Sequence, residues 1–191
     1  MFFTRRPSPQ DVERFLRECS DLPLSYEPVG LAVEGRAGAG FDVDESVAVV
    51  GSGEAAFRRA TAALARWGHF ELGWVELLPK GAPIAPGAVV AVLVRHLGFW
   101  SLNGCRVVYS LGLDEDTEFG FAYGTLENHA ESGEEIFRVS LRPDTGEVVY
   151  AIRAVSRPRA PLAKLGYPVT RLIQARFRRD STRALARAIL D

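Results

Sequence analysis

The chain has 191 residues, 47% of them hydrophobic and 25% charged, with a formal net charge of −1. This is the composition of an ordinary folded domain, which excludes a disordered chain and leaves enough length for one substantial core. The balanced charge gives no nucleic-acid signal, and Cys19 and Cys105 alone make neither a disulfide framework nor a zinc spacing.

The N-terminus, "MFFTRRPSPQ", lacks the apolar core of a secretory signal. No apolar stretch approaches the roughly 20 residues that cross a bilayer. A reduced, cytoplasmic setting is therefore expected. "SPQDVERFLREC" predicts a first helix, with Ser8 as N-cap, Pro9 in the first turn and Val12, Phe15, Leu16 and Cys19 on one stripe. A loop then leads to a short strand expected over Val29 to Glu34, and "GRAGAG" reads as a flexible connection. The stretch "SVAVVGSGEAAFRRATAALARWGHF" carries strand, turn and helix. Its Gly-Ser-Gly has Ala56 where a nucleotide fingerprint needs glycine, so Ser52 is read as a helix cap and Gly68 as the helix end.

From His69 the apolar period becomes two. Six strands are predicted: Phe70–Leu78, Val89–Leu97, Ser101–Leu111, Glu118–Leu126, Glu135–Leu141 and Glu147–Val155. Turn signals such as "LDEDT", "ENHAESG" and "RPDTG" separate the later ones, and such short connections imply an antiparallel meander. Alternation places Phe70, Trp74, Tyr109, Leu111, Phe119, Phe121, Tyr123, Phe137 and Tyr150 on one apolar face. Gly120, Ala122, Gly124, Arg106 and Arg138 fall on the other, which is expected to be largely solvated, with Arg106 in a surface salt bridge. After "SRPRAP", a helix is predicted over Val169 to Leu190, its stripe formed by Val169, Ile173, Phe177, Ala184 and Ala188. Gly166 and Pro168 are expected to kink or interrupt its start.

A bent antiparallel sheet around one long helix is a helix-grip, an α+β fold, here with about seven strands. It leaves either a cavity or a solid aromatic core between sheet and helix. Charge is unevenly placed. Residues 153–191 hold 10 of the 23 basic residues and 2 of the 24 acidic ones. The terminal helix could therefore meet an anionic partner.

The element order resembles the helix-grip superfamily of START lipid-transfer domains, birch-pollen-allergen-like proteins and polyketide cyclases. The words "YEPVG", "GSGEAAFRRATAALARW", "NGCRVVY", "FGFAYGTLENHAESGEEIF" and "SRPRAPLAKLGYP" resemble a narrower family, domain of unknown function nineteen-ninety. That family resemblance implies no established activity or catalytic residue. Residues 1–25 are read as an N-terminal helix and linker, and residues 26–191 as one helix-grip domain.

The function expected is binding of an apolar or lipid-like small molecule between sheet and helix, with no cofactor or metal. Trp74, Tyr109, Phe119, Phe121, Tyr123, Glu135, Phe137 and Phe177 are the candidate lining. His129, Glu131 and Glu134 stand at its mouth. The alternatives are a cyclase or hydratase using His129 and a nearby carboxylate, which would raise the imidazole pKa, and a solid-core interaction module. An inward Glu135 needs a partner, either an arginine of the last helix or a ligand.

Overall fold

The computed structural model describes residues 1–34, 40–112, 116–159 and 167–190. Its centre is one antiparallel sheet. In chain order the strands are β1 (Phe2–Phe3), β2 (Asp42–Ser52), β3 (Val75–Leu78), β4 (Val89–Arg95), β5 (Trp100–Leu111), β6 (Glu118–Thr125), β7 (Glu131–Leu141) and β8 (Glu147–Pro158). They are ordered β2-β8-β7-β6-β5-β4-β3, and β1 adds to β5. The sheet curls around α4 (Tyr167–Leu190), with α3 (Gly53–Ala65) beside it, as the meander and the long apolar-faced tail predicted. α1 (Pro9–Ser20) and the single-turn α2 (Leu31–Glu34) lie on the sheet's other face.

Local rules explain most element ends. Ser8 Oγ accepts the Asp11 amide at 3.2 Å while Asp11 accepts the Ser8 amide at 3.0 Å, a reciprocal capping box at the start of α1. α3 departs from expectation at both ends. Ser52 precedes it in extended conformation, but its hydroxyl makes no capping bond. The chain reverses at Trp67, whose φ is 64°, rather than at Gly68. Gly68 is glycine for another reason: a Cβ there would sit 3.0 Å from the Ala63 carbonyl oxygen. The strand expected from Phe70 begins only at Val75, because a 3-10 turn spans Gly68–Phe70 and Gly73 takes φ 73°. The strand expected at Val29–Glu34 is α2. The Gly30 amide just before it and the Ala32 amide within it donate to the Glu134 carboxylate, and an anion at a helix start favours helix there. α4 starts at Tyr167 with Pro168 in its first turn, where proline belongs. The sequence words "GRAGAG", "LDEDT" and "SRPRAPLAKLG" fall wholly or partly outside the described residues.

The outer face, expected to be largely solvated, is covered over β4 to β7 by the N-terminal segment, while Arg138, Val47 and Val49 remain exposed. Phe15 and Cys19 of α1 pack on Ala91, Leu93, Leu102 and Leu126. Tyr26, Leu31 and Ala32 pack on Ala122, Ile136 and Val155. The small outward residues make room for this cover: a Cβ at Gly124 would collide with Tyr26, and one at Gly104 would meet Cys19 and Asn128. Arg106 makes no surface salt bridge among the described residues. Its guanidinium donates to the carbonyls of Ser20 at 2.9 Å and Leu22 at 3.0 Å, closing the end of α1.

Two face assignments change. The register of β5 against β6 shifts between Val107 and Tyr109, so Val107 stays in the inner core while Tyr109 and Leu111 join the outer cluster. A bulge reverses the alternation beyond it. In α4 the buried line is Ser181, Leu185 and Ile189, preceded by Ile173 and Phe177. Val169, expected inward, is 60% exposed. The line follows i, i+4 steps and drifts around the helix.

Candidate functional site

The concave side of the sheet divides into two halves. Toward one end, Phe121, Phe137, Val139, Val148 and Tyr150 are buried against Trp67 and α3 in a filled core. Toward the other end the inward positions are short: Ser101 and Asn103 on β5, Thr125 on β6, Gly133 on β7, Ala154 and Ser156 on β8. A cavity of about 1020 Å³ opens there, roofed by Val169 to Arg178 of α4. Phe70 and Phe177 stand between the halves, their rings 5.0 Å apart. Phe2, Phe99 and Val169 line the cavity and are also exposed, which places its opening between β1, the β4–β5 turn and the start of α4.

The expected site residues separate accordingly. Trp74, Tyr123, Glu135 and Phe177 line the cavity with His129 and Glu131. Phe119, Phe121 and Phe137 do not: they belong to the filled half. Tyr109 is on the outer face because of the bulge, and donates to Glu134 at 2.6 Å. Glu134 borders the cavity, but its carboxylate is turned outward. Tyr26 Oη donates to it at 2.7 Å, the Gly30 amide at 2.9 Å and the Ala32 amide at 3.1 Å. The buried carboxylate is thus saturated, and it pins the N-terminal segment to the sheet. Burial and this carboxylate raise both the Tyr26 and the Tyr109 phenol pKa.

Glu135, one residue on, has a different setting. Its carboxyl accepts one bond from Tyr123 Oη, at 2.6 Å. The arginine expected from α4 is present in Arg178, but that side chain pairs with Asp44 at 3.1 Å. Asp44, on β2, also holds Arg171. Desolvation therefore dominates at Glu135 and pushes its pKa up to about 7, with the Tyr123 bond working the other way. Glu131 accepts both of its bonds from Gln174 Nε2, at 2.8 and 3.0 Å, and burial raises it too.

His129 reverses an expectation. Burial pushes its pKa down to about 4, where neighbouring acids were expected to raise it. No carboxylate among the described residues forms an ion pair with it, so loss of solvation decides the sign. Its Nδ1 accepts the Glu131 amide at 2.9 Å, so the neutral ring carries its proton on Nε2. His69 is fully buried among Trp67, Phe70 and Phe137 in the filled half, and burial drives its pKa to about 3. Among the described residues no group of three His, Cys, Asp or Glu side chains is placed to hold a metal ion. No described helix is long and apolar enough to cross a membrane.

Gln174, Arg178 and Asp44 were missed by sequence reading. Their signal was weak: Gln174 and Arg178 continue the helix face of Phe177 and Ile173 at steps of one and four residues, and Asp44 precedes the "SVAVV" run that was read as strand, although β2 begins at Asp42.

A curled antiparallel sheet, a C-terminal helix lying in its palm and a space between them define a helix-grip protein. The chain belongs to the family described as domain of unknown function (DUF1990), whose model matches residues 25–184. A UPF0548 protein of Dictyostelium discoideum is 34% identical over 207 residues, covering 99% of this chain and 96% of its own. Among solved structures, a hypothetical protein of Helicobacter pylori superposes with a TM-score of 0.51 at 14% identity, covering 82% of this chain and 92% of that one. A norcoclaurine synthase from Thalictrum, in complex with a transition-state analogue, gives 0.50 at 12% identity, covering 78% and 94%. At such identities these likenesses concern the fold.

Proposed function

We propose that this protein binds a hydrophobic or amphipathic small molecule in the cavity between sheet and α4. The observation that carries the reading is the cavity itself. At about 1020 Å³ it is at the upper end of the ~300–1,000 Å³ usual for small-molecule sites, and it combines aromatic walls with a few convergent polar groups. Phe70, Trp74 and Phe177 supply the apolar wall, and His129 and Glu135 the polar end.

Titration calorimetry with octanol tests it. Saturable binding in the micromolar range is expected, on the order of −8 kcal/mol. Ala154 faces the cavity opposite Glu135 on the neighbouring strand. Ala154→Phe is therefore expected to weaken binding at least tenfold while the protein still folds. Absence of saturable binding by the unmodified protein overturns the reading.

A catalytic reading uses the same geometry, since His129 and Glu135 line one cavity. It requires proton transfer through a ring that burial holds neutral. His129→Ala protein that still binds octanol separates the two, because only turnover of a substrate would need the imidazole.

A further inference from the structure

Glu135 lines the cavity with no ion-pair partner among the described residues. Arg171 and Arg178 of α4 both pair with Asp44, Glu131 is held by Gln174, and Arg176 and Arg179 pair with Asp180. His129 stays neutral. No cation among the described residues forms an ion pair with Glu135, whose one side-chain bond is to Tyr123 Oη. The ionisable groups felt at Glu135 are Glu131 on its own strand, Tyr123 on β6, Cys105 on β5, Tyr150 on β8, Asp44 on β2 and Arg178 on α4. Arg178 alone is cationic, and it is committed to Asp44. The cavity around this carboxyl has aromatic walls: Tyr123 bonds it directly and Phe70 and Phe177 line the same space, while the Trp74 ring is already faced by the Arg176 guanidinium at 4.2 Å. An unmatched carboxyl among ring faces is a site for a cation with an apolar body.

We propose that the natural ligand carries a protonated amine, which seats on the Glu135 carboxylate while its hydrocarbon or aromatic body fills the cavity. This rests on the cavity being a small-molecule site, and it names the ligand class. Without ligand, Glu135 is held largely protonated below neutrality. The incoming ammonium gives the carboxylate a direct ion-pair partner and displaces the carboxyl proton to solvent, so charge is conserved on binding. Affinity for an amine then rises with pH until Glu135 is ionised in the free protein as well.

Octylamine and octanol, matched in chain length, distinguish the two levels of the argument. At pH 8 octylamine should bind at least tenfold more tightly than octanol. Glu135→Gln should abolish that preference, bringing the octylamine and octanol affinities of the variant within about threefold of each other. At pH 6, calorimetry in buffers of different ionisation enthalpy should show about one proton released per octylamine bound by the unmodified protein, a readout that needs no variant. If octanol binds as well as octylamine, the amine assignment fails and the cavity reading stands. If the preference survives in Glu135→Gln, or no proton is released at pH 6, Glu135 is not the amine's partner. If neither probe binds, both readings fall.

Discussion

Glu134 and Glu135 are adjacent carboxylates on one strand, and the pleat sends them to opposite faces. Glu134 meets two phenols and two amides, so removing any one donor leaves a buried acceptor short of a bond. Tyr26→Phe is expected to cost about 1–3 kcal/mol in denaturant unfolding. Glu135 has the opposite effect on stability. Its pKa is about 7 in the folded protein and about 4.5 when unfolded. Between those values the folded state binds the extra proton, so stability falls as pH rises from about 4.5 to 7 and is level above. Glu135→Gln should remove that loss, leaving the variant more stable than the parent by about 1–3 kcal/mol at pH 8 and about equal at pH 4.5. His69 and His129 work in the reverse sense. Their folded pKa values lie below that of a free imidazole, so their contribution is lost as pH falls below about 6.5. Comparing Glu135→Gln with the parent at each pH cancels these histidines. Sequence alternation alone read Glu135 as inward and in need of a partner, and that much was legible in the residues. What it could not supply was the partner's prior commitment, because Asp44 claims Arg178 from a strand more than a hundred residues away.

At the scale of elements, α4 is two different half-helices. From Ser181 onward it is held by burial, with Leu185 fully buried, Ile189 3% exposed and the Ser181 hydroxyl 3.0 Å from Tyr150 Oη. Before Ser181 it is held mainly by polar bonds: Arg171 and Arg178 to Asp44, Gln174 to Glu131, and Asp180 accepting from Trp74 Nε1 at 3.1 Å. Leu172 remains 71% exposed on that half. This division sets where the helix opens. Asp44→Ala leaves two arginines without their carboxylate, so backbone hydrogen exchange over residues 171–178 should quicken roughly tenfold or more, with residues 183–189 nearly unchanged. Equal acceleration along the whole helix would show that α4 moves as one body. The apolar pattern foretold a long helix against the sheet but misplaced its buried line. Val169 was counted inward on hydrophobicity, and Ser181 was passed over as polar although it lies on the line of closest approach. The bulge in β5 was equally illegible: "RVVYSL" alternates well enough on its own, and the extra residue appears only against β6.

For the whole molecule, the same sheet makes a solid core at one end and a hollow at the other, and inward side-chain size is the cause. The inward residues of β6 and β7 run Phe119, Phe121, Tyr123, Thr125 and Val139, Phe137, Glu135, Gly133, so bulk declines toward one end in register. Both aromatic filling and a cavity were open from the sequence; the aromatic residues fill one half, and the other half holds the space of about 1020 Å³. Following the inward positions to the strand ends, through Ser101, Asn103, Thr125 and Ser156, would have located the hollow. The aromatic residues drew attention to the filled half instead. This partition separates stability from binding. Phe121 is fully buried, with its ring 4.6 Å from Trp67, so Phe121→Ala should cost about 3–5 kcal/mol in unfolding free energy. Below its melting temperature that variant should still bind octanol within about threefold, because the lost ring lies beyond the Phe70–Phe177 divide. Ala154→Phe should behave inversely, changing stability by only about 1 kcal/mol, because the new ring enters empty space rather than a packed core, while binding is lost. The two variants measured side by side, by denaturant unfolding and by calorimetry, form a cross. If Phe121→Ala abolishes binding as fully as Ala154→Phe does, the halves are not independent, and the filled core itself sets the shape of the cavity.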